Sequence, residues 1–332
     1  MRFLITGAAG FIGFHLARRL LTEGHGVFGL DGFTPYYDQT LKRRRYELLA
    51  QHSQFSGWEL MLEDAVRLNE CVSAASADVV IHLAAQAGVR YSAENPRAYI
   101  DSNIVGSFNL LEALKQHPCR HLIVASTSSV YGANVEQPFQ EDQSTDKPLS
   151  LYAATKRAVE ALVHNHAYQF SLPSTVARFF TVFGPWGRPD MAFFKFTKNI
   201  IEGRPIDVYG FGRMTRDFTY VDDVVEAVRR LAEKPPAAED TDVATPTGAA
   251  VLSRIVNIGC GHPIGLEEFI RVIETEIGRK AIRRELPMQT GDMAATWADT
   301  TRLQRLTGFR PATTLASGIH EFVAWYRSYY GL

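Results

Sequence analysis

Glycines at positions 7, 10 and 13 interrupt an otherwise apolar N-terminus, in the segment Thr6-Gly-Ala-Ala-Gly-Phe-Ile-Gly13. They follow the short apolar run Phe3-Leu-Ile5 and precede Phe14-His-Leu-Ala-Arg-Arg-Leu-Leu21, where apolar residues recur at helical spacing. The segment therefore reads as a buried strand, a sharp turn and a helix. Bare glycines let main-chain N–H groups at a helix N-terminus approach a pyrophosphate, and let the helix pack close to a sheet. The spacing is GxxGxxG rather than the strict GxGxxG, and three glycines also suit a purely structural turn.

Further strands follow at Val27-Phe-Gly-Leu30, Asp78-Val-Val-Ile-His82, His121-Leu-Ile-Val-Ala125 and Thr175-Val-Ala-Arg-Phe179, with helical stretches between them, notably over 96–116. Strands that alternate with helices predict an α/β fold: a Rossmann-type, doubly wound parallel sheet covered on both faces. At 332 residues the chain exceeds the size at which one core stops growing, so a second unit is expected. Beyond Gly184 the pattern loosens. Pro185-Trp-Gly-Arg-Pro189 is turn-rich, 193–202 is helical, and Asp217-Phe-Thr-Tyr-Val221 is extended before a helix through Val224 and Val228. A strand at 255–258 and helices at 266–277 and 319–329 follow, and the Pro/Ala-rich stretch 234–250 reads as a solvated loop.

Charge and cysteine content exclude several classes of partner. Thirty-five basic against 36 acidic residues leave a net charge of −1, which gives no pull toward nucleic acid or anionic membrane. Cys71, Cys119 and Cys260 are odd in number and lack CxxC spacing, so neither a disulfide framework nor a metal site is indicated, and a reducing cytoplasmic setting is expected. No segment has the apolar length of a membrane span, and the recurring glycines break any signal-peptide-like run.

Asp31, at the end of the second strand, points to chemistry at the glycine turn. A carboxylate there accepts the ribose hydroxyls of an adenosine and repels a 2′-phosphate, which favours NAD over NADP, although Asp31-Gly32 is also a good turn pair. Asp64, after Leu60-Met-Leu62, stands where a third strand would end and is a candidate partner for the adenine; a solvated loop carboxylate is the alternative. In Ser150-Leu-Tyr-Ala-Ala-Thr-Lys156, Tyr152 and Lys156 share one helix face, downstream of the hydroxyl cluster Ser126-Thr-Ser-Ser129. A tyrosine acting as a base near neutrality needs its pKa lowered by about three units, or about 4 kcal/mol. One ammonium at about 4 Å supplies roughly that at an effective dielectric near 20.

Taken together, Thr6–Gly13, His82-Leu-Ala-Ala85, Ser126-Thr-Ser-Ser-Val-Tyr-Gly132, the Tyr152/Lys156 pair and Arg216-Asp-Phe-Thr-Tyr-Val-Asp-Asp223 resemble the extended short-chain dehydrogenase/reductases that act on nucleotide sugars, over almost the whole chain. Within that group, 84–92 and 178–191 resemble the UDP-glucuronate 4-epimerases. Ser128-Ser129 stand where 4,6-dehydratases carry Asp-Glu, and Thr181 stands where UDP-galactose epimerases usually carry Asn. Phe183 replaces a more usual Tyr.

The resemblance implies bound NAD, contacted by Gly7, Gly10, Phe11, Ile12, Gly13, Asp31, Asp64, Ala84 and Lys156, in a domain formed by 1–180 with 221–258. A smaller C-terminal α/β domain, 181–220 with 259–332, is expected to bind a UDP-sugar. Tyr152 would move the proton of the sugar 4-hydroxyl while a hydride leaves carbon 4, with Lys156, Thr127 and Ser128 assisting. The 4-keto uronate so formed is a β-keto acid prone to lose carbon dioxide, so an epimerase must hold the carboxylate out of alignment with the carbonyl. Thr127, Ser128, Ser129 and Thr181 offer hydroxyls for that task, Arg188, Arg90 and Arg216 are candidates to oppose the carboxylate or the diphosphate, and Asp292 is a further candidate substrate contact. Asp222 and Asp223 are expected to cap the following helix. A neutral-sugar epimerase, a decarboxylase and an idle NAD-binding regulator are the competing expectations, and a homodimer through 96–116 and 152–169 rests on the resemblance alone.

Overall fold

The computed structural model describes residues 1–240, 248 and 250–332. Its strands are β1 (Arg2–Thr6), β2 (Gly26–Asp31), β3 (Phe55–Glu59), β4 (Val79–His82), β5 (His121–Thr127), β6 (Ser174–Phe179), β7 (Thr181–Phe183), β8 (Pro205–Tyr209), β9 (Thr215–Tyr220), β10 (Ser253–Ile258), β11 (Pro263–Gly265) and β12 (Ile282–Leu286). Seven of them form one sheet in the order β10-β6-β5-β4-β1-β2-β3, and every neighbouring pair is parallel. Strand order reverses at β1, which lies between β4 and β2, so the loops after β1 and β4 diverge there and open a crevice at the carboxyl edge.

Alternation along the strands builds a core on each face of this sheet. Phe3 and Ile5 point into one apolar cluster with Val27, Val79 and Phe14, whereas Leu4 points into the other with Leu30, Val80 and Leu122. Burial on both faces explains why β1, β4 and β5 read as unbroken apolar runs rather than alternating ones. The remaining strands form a three-stranded sheet, β11-β9-β7, and a parallel pair, β12-β8. Helices Ala192–Glu202, Leu266–Ile277 and Leu315–Tyr330 pack there on an aromatic seam, with Phe218 stacked on Phe269 at 4.4 Å and Phe193 edge-on to Phe322 at 4.9 Å.

Several elements differ from their sequence reading. The third strand ends at Glu59, and Leu60-Met-Leu62 is not part of it: Leu60 and Leu62 are buried in the core while Met61 is exposed. The stretch 96–116 is not one regular helix. It contains a π-helical segment, Ile100–Val105, where Asn103 turns inward to bond neighbouring elements. Asp222 and Asp223 lie in the first turn of helix Val221–Ala232 but neither side chain caps it. Asp222 lies 3.5 Å from His15, and Asp223 accepts the N–H groups of Ala312 and Thr313, so both tie separate segments together. Of the stretch 234–250 read as a solvated loop, 241–247 and 249 lie outside the described residues, and Ala238–Asp240 form a short 3₁₀ turn.

Candidate active site

A cleft runs along the carboxyl edge of the large sheet, walled by the glycine turn after β1, residues 30–34 after β2, 83–87 after β4 and the last residues of β5 and β6. Gly7 sits at φ +75°, and a Cβ there would lie 2.8 Å from the Ala84 nitrogen. A Cβ on Gly13 would overlap the Gly7 carbonyl oxygen. Both positions thus demand glycine, and the bare turn leaves the start of helix Phe11–Thr22 open to the cleft. Gly7, Gly10, Phe11, Ile12, Gly13, Asp31 and Ala84 all line it, which is the shape a dinucleotide requires.

Asp31 is buried at the end of β2 and its two oxygens are already engaged. Oδ2 accepts the Ala9 N–H at 3.0 Å and Oδ1 the Phe33 N–H at 2.9 Å. Burial pushes its pKa up, while those N–H groups and the Lys42 and Arg45 charges draw it back. Asp64 does not line the cleft. Its Oδ1 accepts the Arg67 N–H at 3.1 Å and caps helix Ala65–Ala75, and Glu63 faces the cleft in its place. Lys42, which carried no role in the sequence reading, lines the cleft beside Asp31 and donates to the Thr34 carbonyl at 2.8 Å.

The Ser150 hydroxyl accepts the Ala153 N–H and so starts helix Leu151–Phe170 where Tyr152 falls in its first turn. Tyr152 and Lys156 both face the cleft. Lys156 is buried, its ammonium donates to the Ala125 carbonyl at 3.0 Å, and burial pushes its pKa down to about 8 despite the nearby Glu160 carboxylate. Burial raises the Tyr152 phenol, and the influences that oppose this are the Arg188 charge and a hydrogen bond with Thr127. The Lys156 ammonium is directed to the end of β5, and the charge that opposes the rise of the Tyr152 pKa is that of Arg188.

Arg188 reaches the cleft from the loop after β7 and forms a bidentate pair with Asp190, Nε to Oδ1 at 3.0 Å and Nη2 to Oδ2 at 2.5 Å. The Tyr36 hydroxyl donates to the same carboxylate at 3.0 Å. Burial opposes both charges, yet the pairing holds Arg188 above and Asp190 below its ordinary value. Of the hydroxyl cluster, Ser126 and Thr127 line the cleft, whereas Ser128, Ser129 and Thr181 do not. Thr127 Oγ1 is hydrogen-bonded to the Ser129 hydroxyl at 3.2 Å, within the turn that opens the 3₁₀ helix Ser128–Tyr131. Arg90, Arg216 and Asp292 form a separate group outside that cleft. Arg90 donates to Asp292 at 3.1 Å and lies 4.6 Å over the Tyr209 ring, and burial lowers the Arg216 pKa while Asp292 supports its charge.

Asn103 had no place in the sequence reading. Its amide donates to the Gln86 carbonyl at 3.1 Å and to the Thr155 hydroxyl at 3.0 Å and accepts the Gln86 N–H at 2.8 Å, tying the π-helical segment, the loop after β4 and the tyrosine helix together.

The model of the NAD dependent epimerase/dehydratase family matches residues 3–259. The chain belongs to this family. A family relative from Rhizobium meliloti (strain 1021), a probable UDP-glucuronate 4-epimerase, is 52% identical over 335 residues, covering 99% of this chain and 98% of the relative. The UDP-glucuronate 4-epimerase 4 of Arabidopsis thaliana is 43% identical over 98% of this chain and 75% of its own length. Among solved structures, the UDP-glucuronic acid 4-epimerase of Bacillus cereus in complex with UDP-glucuronic acid and NAD superposes with a TM-score of 0.90 at 33% identity, covering 99% of this chain and 100% of that one. The fold of this epimerase/dehydratase family member is thus the Rossmann-like one of the solved epimerases, and its cofactor is NAD. Among the described residues no helix is long and apolar enough to cross a membrane.

Proposed function

We propose that this chain is a UDP-glucuronate 4-epimerase, interconverting UDP-glucuronate and UDP-galacturonate through a 4-keto intermediate. The observation that carries the reading is the full-length 52% identity to the probable UDP-glucuronate 4-epimerase of Rhizobium meliloti, joined to a cleft that brings Tyr152, Thr127 and Arg188 together. The glycine turn with Asp31 and Ala84 holds the cofactor, in a domain of 1–180 with 221–258, and 181–220 with 259–332 hold the nucleotide sugar.

When bound, NAD supplies the acceptor and then the donor of the carbon 4 hydride. Tyr152 removes the proton of the 4-hydroxyl and returns it to the same oxygen after the sugar has turned over to present the opposite face of carbon 4. Thr127 holds the phenol oxygen, and Lys156 orients the cofactor ribose from the floor of the cleft. Arg188, fixed in plane by Asp190, still has its Nη1 donors for a sugar carboxylate, and pinning that carboxylate away from the carbonyl π system prevents loss of carbon dioxide. Arg90, Arg216 and Asp292 take the diphosphate and nucleoside end.

A homodimer in a reducing cytoplasm completes the reading. Its support is the apolar surface of Val105, Phe108, Tyr168 and Phe170 on the two helical segments, together with the free thiols. The test of function is to incubate the purified protein with UDP-glucuronate and resolve products by chromatography and NMR. UDP-galacturonate without carbon dioxide is expected, and UDP-pentose or activity confined to UDP-glucose would overturn the reading.

A further inference from the structure

The helix that carries Tyr152 and Lys156 presents a third buried polar residue one turn further on. Tyr152, Lys156 and Glu160 stand at i, i+4 and i+8, on one face. Opposite them lie three consecutive residues at the end of β5, and each is held by one of the three. The Lys156 ammonium donates to the Ala125 carbonyl at 3.0 Å, Glu160 Oε1 accepts the Ser126 hydroxyl at 2.6 Å, and Tyr152 is hydrogen-bonded with Thr127. Ser126 and Thr127 both line the cleft, so this ladder fixes part of its wall to the helix.

Glu160 is 3% exposed, and its charge is balanced from the adjoining strand. Arg178 of β6 donates to it twice, Nε to Oε1 at 2.9 Å and Nη2 to Oε2 at 2.8 Å. Arg178 in turn donates to the Glu141 carbonyl at 3.2 Å and lies 4.8 Å over the Tyr131 ring, so its own position is set on two more sides. Such a pair stabilises little by itself, because both groups lost their water on burial. Its place beside the ladder ties the end of β5 and β6 to the tyrosine helix through one carboxylate.

We propose that Glu160 is a positioning residue for hydride transfer, holding Ser126 in the cleft wall and keeping the Lys156 ammonium charged inside a desolvated site. The groups that face Lys156 are Glu160 and Tyr152 on its own helix and His82 at the end of β4. Those that face Glu160 are Arg157, Arg178 and the Ser126 hydroxyl. His82 is a neutral imidazole between Thr6 and Ser107, so Glu160 is the one full negative charge among these neighbours. Removing it leaves burial unopposed and lowers the Lys156 pKa.

The inference rests on Tyr152 and Lys156 being the hydride-transfer pair, but its main measurement does not depend on the identity of the sugar. Glu160→Gln keeps the shape and one acceptor while deleting the charge. NMR of protein carrying ¹³C-labelled lysine, with Lys156→Met to assign the signal, is expected to show Lys156 titrating about one unit lower in Glu160→Gln than in the natural protein. The alkaline limb of kcat should move with it, a loss of about tenfold on that limb. An unmoved Lys156 titration with only a lower Tm overturns the proposal. Ser126→Ala tests the same ladder should Glu160→Gln fail to fold. With the hydroxyl gone and the carboxylate kept, kcat falls and the Lys156 titration stays in place, and a shift of a full unit there would equally overturn it. A protein inactive on every uronate but with the expected Lys156 shift would fail the proposed function and leave this inference standing.

Discussion

Asp31 and Ala9 are joined by a hydrogen bond of 3.0 Å, from the Ala9 N–H to Oδ2, so the carboxylate that ends β2 also closes the glycine turn. Its other oxygen holds the Phe33 N–H, at a residue with φ +46°. Replacing Asp31 with Asn sets an amide donor against one of these N–H groups. An unsatisfied buried donor costs about 1–3 kcal/mol. Asp31→Asn is expected to lower the unfolding free energy from urea denaturation by that amount and to weaken NAD binding at least tenfold by calorimetry. Undiminished NAD affinity would remove Asp31 from the cofactor site.

The glycine turn separates two kinds of glycine cost. At Gly13 an added methyl overlaps the Gly7 carbonyl oxygen, a backbone atom that has no room to withdraw, whereas at Gly24, φ +80°, nothing lies within 4 Å of it. Gly24→Ala therefore costs only the left-handed conformation, about 1 kcal/mol, and leaves the cleft untouched. Gly13→Ala is expected to cost about 1–3 kcal/mol through overpacking and to abolish detectable NAD binding. Thermal melts with and without NAD distinguish them: the NAD-induced rise in Tm persists in Gly24→Ala and disappears in Gly13→Ala.

Features decided within a few residues of sequence were the legible ones. The turn Gly7–Gly13 and the Tyr152/Lys156 face are local, because glycine chemistry and a period of 3.6 leave their mark in the sequence itself. Asn103 and Glu160 were not legible, because their partners come from segments 17 to 52 residues away and only the assembled sheet brings them together. Ser128 and Ser129 are suggested as cleft hydroxyls by the cluster they belong to, and Thr181 by the resemblance. The 3₁₀ turn after Thr127 instead carries Ser128 and Ser129 away from the wall, and Val182 rather than Thr181 reaches it from β7. The capping role of Asp64 likewise follows from the path of the chain, since the strand ends at Glu59 and the carboxylate serves the next helix.

Tyr152→Phe keeps the ring that lies 6.1 Å from Tyr99 and removes only the hydroxyl. Loss of a positioned acid/base group costs about 10² to 10⁴ in rate. The variant is expected to lose at least a hundredfold in kcat on UDP-glucuronate, with the NAD-induced rise in Tm and the substrate Kd within about threefold of the natural protein. Near-normal turnover would take the tyrosine out of the mechanism.

Two buried histidines make the fold sensitive to mild acid. His82 and His121 have their pKa pushed down to about 3 by burial, reinforced by the Lys156 and Arg254 charges respectively, so both are neutral in the folded state. In the unfolded chain they titrate near the ordinary 6.5. A base with a depressed folded pKa contributes its full stability above the unfolded value and loses it as pH falls toward the folded one. Each imidazole therefore removes about 1.4 kcal/mol per pH unit once pH is well below 6.5, and together they remove about 5 kcal/mol between pH 6 and 4. His121 bonds the Thr175 hydroxyl through Nε2 at 2.9 Å, a contact that a glutamine amide can make without titrating. Urea denaturation across this range is expected to show His121→Gln losing stability less steeply than the natural protein, by about 1.4 kcal/mol per unit. Parallel slopes would assign the acid sensitivity to the paired carboxylates instead, among them Glu226, whose pKa the Arg229 and Arg230 guanidinium groups hold down at about 2.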